Sequence, residues 1–260
     1  MALTYASYLQ LDKLLALQQP RSEPPEHDET LFIIIHQTYE LWFKQLLHEL
    51  DKLKRAFTSN DLYGAIHTFK RVRMILKTLV QQLDILETMT PMSFASFRDR
   101  LDTASGFQST QFRELEFVLG YKRADVLQFI DPGNPGLPAV QRRFHERSLV
   151  DHLYDFLEHY GVAVPADLRG REVTQATIPN ETVQAGLLSL YQTRPDVVIL
   201  FELMTDIDEG FQEWRYRHVK VVERTIGSKR GTGGSPGVEF LKESLFRPAF
   251  PDLWAIRHEL

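Results

Sequence analysis

Apolar residues recur at helical spacing along the first quarter of the chain. At about 100° per residue, Phe32, His36, Tyr39, Phe43, Leu46, Leu50 and Phe57 fall on one line, while Glu40, Lys44, Glu49 and Lys52 point elsewhere. That period predicts a helix over residues 29–58. A second helix is predicted over 61–89, with Ile66, Phe69, Leu76, Leu79, Leu83 and Leu86 as its stripe. Ser59-Asn60 supplies the turn and cap between them, and Thr90-Pro91 the stop. No proline and only one glycine, Gly64, interrupt residues 26–90. A third long helix is bracketed by Pro195 at its first position and Gly227 just beyond its end, and a shorter one is predicted over 148–160. Nothing alternates with period two for long enough to build a sheet. The predicted fold is an all-α helical bundle. It forms a single domain over residues 1–260, because no repeat, low-complexity tract or linker divides it.

Composition narrows the chemistry. The 260 residues include no cysteine, which excludes disulfide scaffolds, cysteine-based zinc modules, iron–sulfur clusters, thiolate-ligated haem and cysteine nucleophiles. Any metal is therefore held by nitrogen or oxygen. A net charge of −5 argues against a globally basic nucleic-acid binder, and no nucleic-acid partner is expected. No apolar run approaches the roughly 20 residues needed to span a bilayer. Met1-Ala2-Leu3-Thr4 lacks the features of a signal peptide, so no membrane partner and a cytoplasmic location are expected.

Two of the nine histidines sit inside apolar stripes: His36 on the first long helix, and His218 aligned with Met204, Ile207, Phe211, Trp214, Val222 and Thr225 on the last. A buried imidazole needs partners for its nitrogens, since an unpaired buried polar group costs about 1–3 kcal/mol. Each is either a core histidine bonded to a distant backbone group or a ligand to a metal or cofactor between the helices. His145, His152 and His159 recur every seven residues along one helix edge. That spacing puts them about 10 Å apart, too far to share a metal ion, and marks interface or solvated positions.

Arg215, Arg217, Lys220, Arg224, Lys229 and Arg230 set six positive charges against Glu223 alone. They form either a site for a phosphate, carboxylate or haem propionate or a solvated face balanced by acids elsewhere. The stretch GSKRGTGGSPG from Gly227 to Gly237 has neither the lysine placement of a P-loop nor the spacing of a dinucleotide fingerprint. It reads as a lid over a pocket or as a plain surface loop. Arg98 lies among aromatic and small residues, with Ser105-Gly106 as a turn before a further helix. By itself it could equally be a surface ion pair.

Four blocks in order, TYASYL at 4–9, FIIIHQTYELWFKQ at 32–45, FRDRLDTASGFQSTQFRELE at 97–116 and WRYRHVKVVERTIGSKRGTGGS at 214–235, resemble the tryptophan 2,3-dioxygenase family closely. The resemblance runs along nearly the whole chain. It implies a helical bundle with haem b bound between long helices, assembled as a homotetramer. The implied reaction inserts both atoms of O2 across the indole C2–C3 bond of L-tryptophan to give N-formylkynurenine, the first step of tryptophan catabolism by the kynurenine pathway.

The same resemblance assigns roles. His218 would be the proximal ligand to the haem iron. His36 would be the distal histidine that accepts a hydrogen bond from the indole N–H, and Phe32 would wall the indole pocket. Arg98 would pair with the substrate carboxylate, and Thr232 would contact the ammonium and carboxylate end. Ser105 and Gly106 would pack near the haem. Tyr5 and Tyr8 would close the substrate pocket of a neighbouring subunit, with residues 1–20 packing on that subunit. Two other readings remain at this level: an indoleamine-type dioxygenase with broader indole substrates, and a helical interaction scaffold whose aromatic stripes are simply core.

Overall fold

The computed structural model describes residues 2–227, 229 and 237–260, and among them there is no strand. Two short helices, α1 (Tyr5–Leu9) and α2 (Leu11–Leu14), precede the long α3 (His27–Thr58). The chain turns at Ser59–Asp61, where the Asp61 carboxylate accepts from the Gly64 N–H and caps α4 (Leu62–Leu86). Thr90 caps α5 (Pro91–Arg98), whose first residue is proline. Next come α6 (Thr110–Val118), α7 (Leu137–His145), α8 (Leu149–His159), α9 (Ala166–Arg169) and α10 (Glu181–Thr193). The long α11 runs Pro195–Ile226, followed by α12 (Val238–Lys242) and α13 (Pro251–Ala255).

Three helices carry the architecture. α4 packs along both α3 and α11, and α8 covers the far end of α3. α4 runs back against α3, so that the Tyr39 hydroxyl donates to the Leu79 carbonyl at 2.7 Å. α11 runs parallel to α4. Arg73 pairs with Asp206 midway along α4, and Arg217 reaches Asp84 and Glu87 at its C-terminal end. The stripes that predicted the first two helices form the seam, with Leu46, Leu50, Phe57, Phe69, Leu76, Leu79 and Leu83 all buried in one continuous core. No described helix is long and apolar enough to cross a membrane.

The long helices match their predicted extents to within a turn, and Gly227 ends α11 at φ 61°, the left-handed conformation that favours glycine just past a helix. Between residues 124 and 178 the structure is more helical than the sequence pattern implied, since α7 and α9 join the predicted α8. His145 also departs from expectation. It ends α7, and the Ser148–Asp151 capping box then starts α8 as a separate helix. The seven-residue histidine line therefore crosses a helix break rather than following one edge.

Candidate active site

Helix geometry turns the two stripe histidines toward one cavity. His36, in the N-terminal third of α3, and His218, on α11, both line it. Around them stand Phe32, Phe43, Phe94, Phe107 and Phe112 among Leu, Val, Ile and Met side chains, so the walls are mostly apolar and rich in aromatic rings. The cavity holds about 1690 Å³ of atom-free space, including the part continuous with solvent.

The hydrogen bond from His36 Nδ1 to the Phe32 carbonyl, 2.7 Å long, fixes the state of that ring. A carbonyl only accepts, so Nδ1 carries the proton and Nε2 is left as the acceptor. Burial pushes the His36 pKa down, against smaller opposing effects of the Phe32 carbonyl and the Glu40 carboxylate. Phe32 lies against the imidazole with ring centroids 4.1 Å apart. His218 differs: neither ring nitrogen has a hydrogen-bond partner among the described residues. Burial, aided by His36 and Arg113, pushes its pKa down to about 4. The surface that both rings keep faces the cavity. Trp214, one turn before His218, stacks on it with planes 8° apart.

Arg98 ends α5 half-buried in the cavity wall, above the Phe94–Phe97 cluster that Phe32 joins. Ser105 and Gly106 open the short turn before α6, where the Ser105 hydroxyl accepts from the Phe107 N–H. A Cβ built on Gly106 would meet nothing within 4 Å, so this backbone fronts open space. These residues, read from distant parts of the sequence, thus share one wall system. Thr232 lies outside the described residues, as does Arg230. Tyr5 and Tyr8 stand 76% and 70% exposed on α1, away from the cavity of their own chain.

The basic cluster resolves into different fates. Arg217 and Arg224 converge on Glu87 of α4, and Lys220 pairs with Glu223. These are charges balanced by acids elsewhere in the fold. Arg215 is buried, bonded to Glu116 of α6 and to the Ser244 carbonyl, with Tyr121 and Phe211 against its guanidinium. Glu116 also binds Arg113. Burial would raise its pKa, but Arg113, Arg215 and Arg123 outweigh that and hold it ionised below the usual carboxylate range. Sequence reasoning missed this cluster and the Trp214 stack, although QFRELE and WRYRH carry Arg113, Glu116, Trp214, Arg215 and His218.

Among the described residues the protein is all-α and brings two imidazoles from different helices to one cavity, the kind of place where helical bundles build cofactor or metal sites. The family model for tryptophan 2,3-dioxygenase matches residues 1–159 and 181–260. Relatives named tryptophan 2,3-dioxygenase include one from Herpetosiphon aurantiacus, 54% identical, with 100% of this chain and 99% of the relative covered. Another, from Anaeromyxobacter sp. strain K, is 51% identical over 100% of this chain and 97% of its own length. A third, from Caulobacter vibrioides, is 41% identical over 99% of this chain and 98% of its own. The chain belongs to the tryptophan 2,3-dioxygenase family.

Proposed function

We propose that the chain is a haem-dependent dioxygenase that opens the indole C2–C3 bond of L-tryptophan with O2 to give N-formylkynurenine, and that the aromatic cavity is its active site. The observation that carries this reading is the pair of imidazoles, His36 and His218, facing one cavity with different free nitrogens. His218 fits a haem. Its ring is neutral and braced by Trp214, and no hydrogen bond among the described residues occupies its nitrogens, so one of them is free to bind iron. The open space before Gly106 suits a flat group lying close to backbone. In this reading His218 would hold the iron of haem b, and Ser105 and Gly106 would pack beside the haem. The haem supplies the redox chemistry of dioxygen.

The chain supplies binding, orientation and exclusion of water. His36, with Nδ1–H committed to Phe32, offers Nε2 to the indole N–H and so sets which edge of the ring faces inward. Phe32 walls the indole. The Arg98 guanidinium pairs with the substrate carboxylate, and Thr232 contacts its ammonium and carboxylate end. A site built to bind both ends rejects indoles that lack either. The exposed Tyr5 and Tyr8 support a homotetramer in which the first 20 residues close the pocket of a neighbouring subunit. The enzyme would work in the cytoplasm.

Turnover of L-tryptophan, D-tryptophan and tryptamine tests the reading. Strong preference for L-tryptophan is expected, and equal rates on all three would point to the broader indoleamine-type activity.

A further inference from the structure

A second cavity lies behind the Glu116–Arg215 pair, with about 800 Å³ of atom-free space counted in the same way. Glu116, Arg123, Arg215 and Ser244 line both cavities, so one side-chain layer separates them. The charge balance of the second is uneven. Two arginines, Arg215 and Arg247, stand against one carboxylate, Glu116, which already serves Arg113 and Arg215. Asp208, the next carboxylate near Arg215, accepts from the Ala249 and Phe250 N–H groups and the Trp254 indole. Arg247 has no ion-pair partner among the described residues; only its carbonyl is engaged, by the Tyr121 hydroxyl.

The rest of the wall is apolar or aromatic, with Leu119, Tyr121, Pro248 and Pro251 facing Thr177. Phe246, also on the wall, is held at φ 60°, and the residue is 82% exposed. A bulky residue in the left-handed region costs about 1–3 kcal/mol and is kept where the surroundings demand it. An excess of guanidinium above aromatic walls matches an amphipathic anion, with a carboxylate for the arginines and a ring for Tyr121 and Phe246.

We propose that this second cavity binds a small single-ring aromatic carboxylate, and that its occupancy is coupled to the active site through the shared Arg215–Glu116 wall. A carboxylate there competes with Glu116 for the Arg215 guanidinium and so shifts the wall of the first cavity. Coupling of this kind is reciprocal, so tryptophan and the second ligand alter each other's affinity by the same factor. The coupling rests on the first cavity being the tryptophan site, whereas the binding itself does not.

Benzoate is the probe, titrated by calorimetry into the full-length protein and into R247Q and R98Q. Arg247 is exposed, and circular dichroism of R247Q checks that its fold is kept. Benzoate should bind wild type and R98Q alike and lose at least tenfold in affinity for R247Q. Benzoate should also shift the KM for L-tryptophan several-fold in wild type and leave it unmoved in R247Q. No binding to the wild type, or binding lost in R98Q and kept in R247Q, would overturn the site. Binding sensitive to R247Q with an unmoved KM would overturn the coupling. The calorimetry reads the site even if the protein turns over no tryptophan, so failure of the two readings can be told apart.

Discussion

The indole of Trp214 lies parallel to the imidazole of His218, with planes 8° apart and ring centroids 5.2 Å apart. Tyr39, Phe43 and Phe112 close around the indole, so the stack is held from several sides. Trp214→Ala should cost about 3–5 kcal/mol of stability through the void it leaves. It should also speed haem loss to an acceptor protein, because His218 loses its brace. Trp214→Phe, which keeps a ring there, should lie close to wild type in both denaturant midpoint and haem-loss rate.

His36 works through a single hydrogen bond in this account. His36→Ala should keep the haem spectrum and lose about tenfold in kcat/KM, the worth of one such bond of about 1.4 kcal/mol. Steady-state kinetics beside a haem titration separate the two effects. Loss of haem from this variant would reassign His36 as a ligand.

Arg98 should act on substrate affinity. Replacing a charged hydrogen-bond partner costs about 1.5–3 kcal/mol, so Arg98→Gln should raise KM for L-tryptophan about ten- to a hundredfold with a smaller effect on kcat. An unchanged KM would refute the carboxylate role.

The buried imidazoles make the haem-free protein acid-sensitive. Both have pKa values below the ordinary 6.5 in the folded state, His218 at about 4, so the unfolded chain binds more protons between those limits. Stability is therefore full above about pH 6.5 and falls as pH drops toward 4, by about 1.4 kcal/mol per unit for His218, with His36 acting in the same direction. Urea unfolding at pH 7 and pH 5 measures this, and His218→Leu should flatten the slope.

Glu116 joins Arg113 and Arg215 in the cavity wall. Glu116→Gln leaves two buried guanidiniums without their anion and should cost about 3–5 kcal/mol of stability, read from the denaturant midpoint.

The parts of this fold that repeat with helical period were legible in the sequence, and the parts set by distant pairing were not. His36 and His218 stood out because a polar ring on an apolar stripe breaks a regular pattern. The resemblance, not the periodicity, supplied the roles of Arg98, Ser105 and Gly106. α5 and α7 were missed for a specific reason. Pro91 and Pro138 sit in their first turns, where proline starts a helix as readily as it stops the one before. The Glu116–Arg215 bond joins residues 99 positions apart, and no local pattern announces such a contact. Tyr5 and Tyr8 are exposed on α1, and the role proposed for them involves a neighbouring chain.

The claim at the centre is that His218 holds a haem inside this bundle next to the tryptophan site. The most direct measurement is the absorption spectrum of the haem-reconstituted protein, with and without L-tryptophan, for wild type and His218→Ala. Wild type should show a Soret band that L-tryptophan perturbs, and His218→Ala should lose it. A wild-type protein that takes up no haem, or a His218→Ala variant with an unchanged band, would contradict the account.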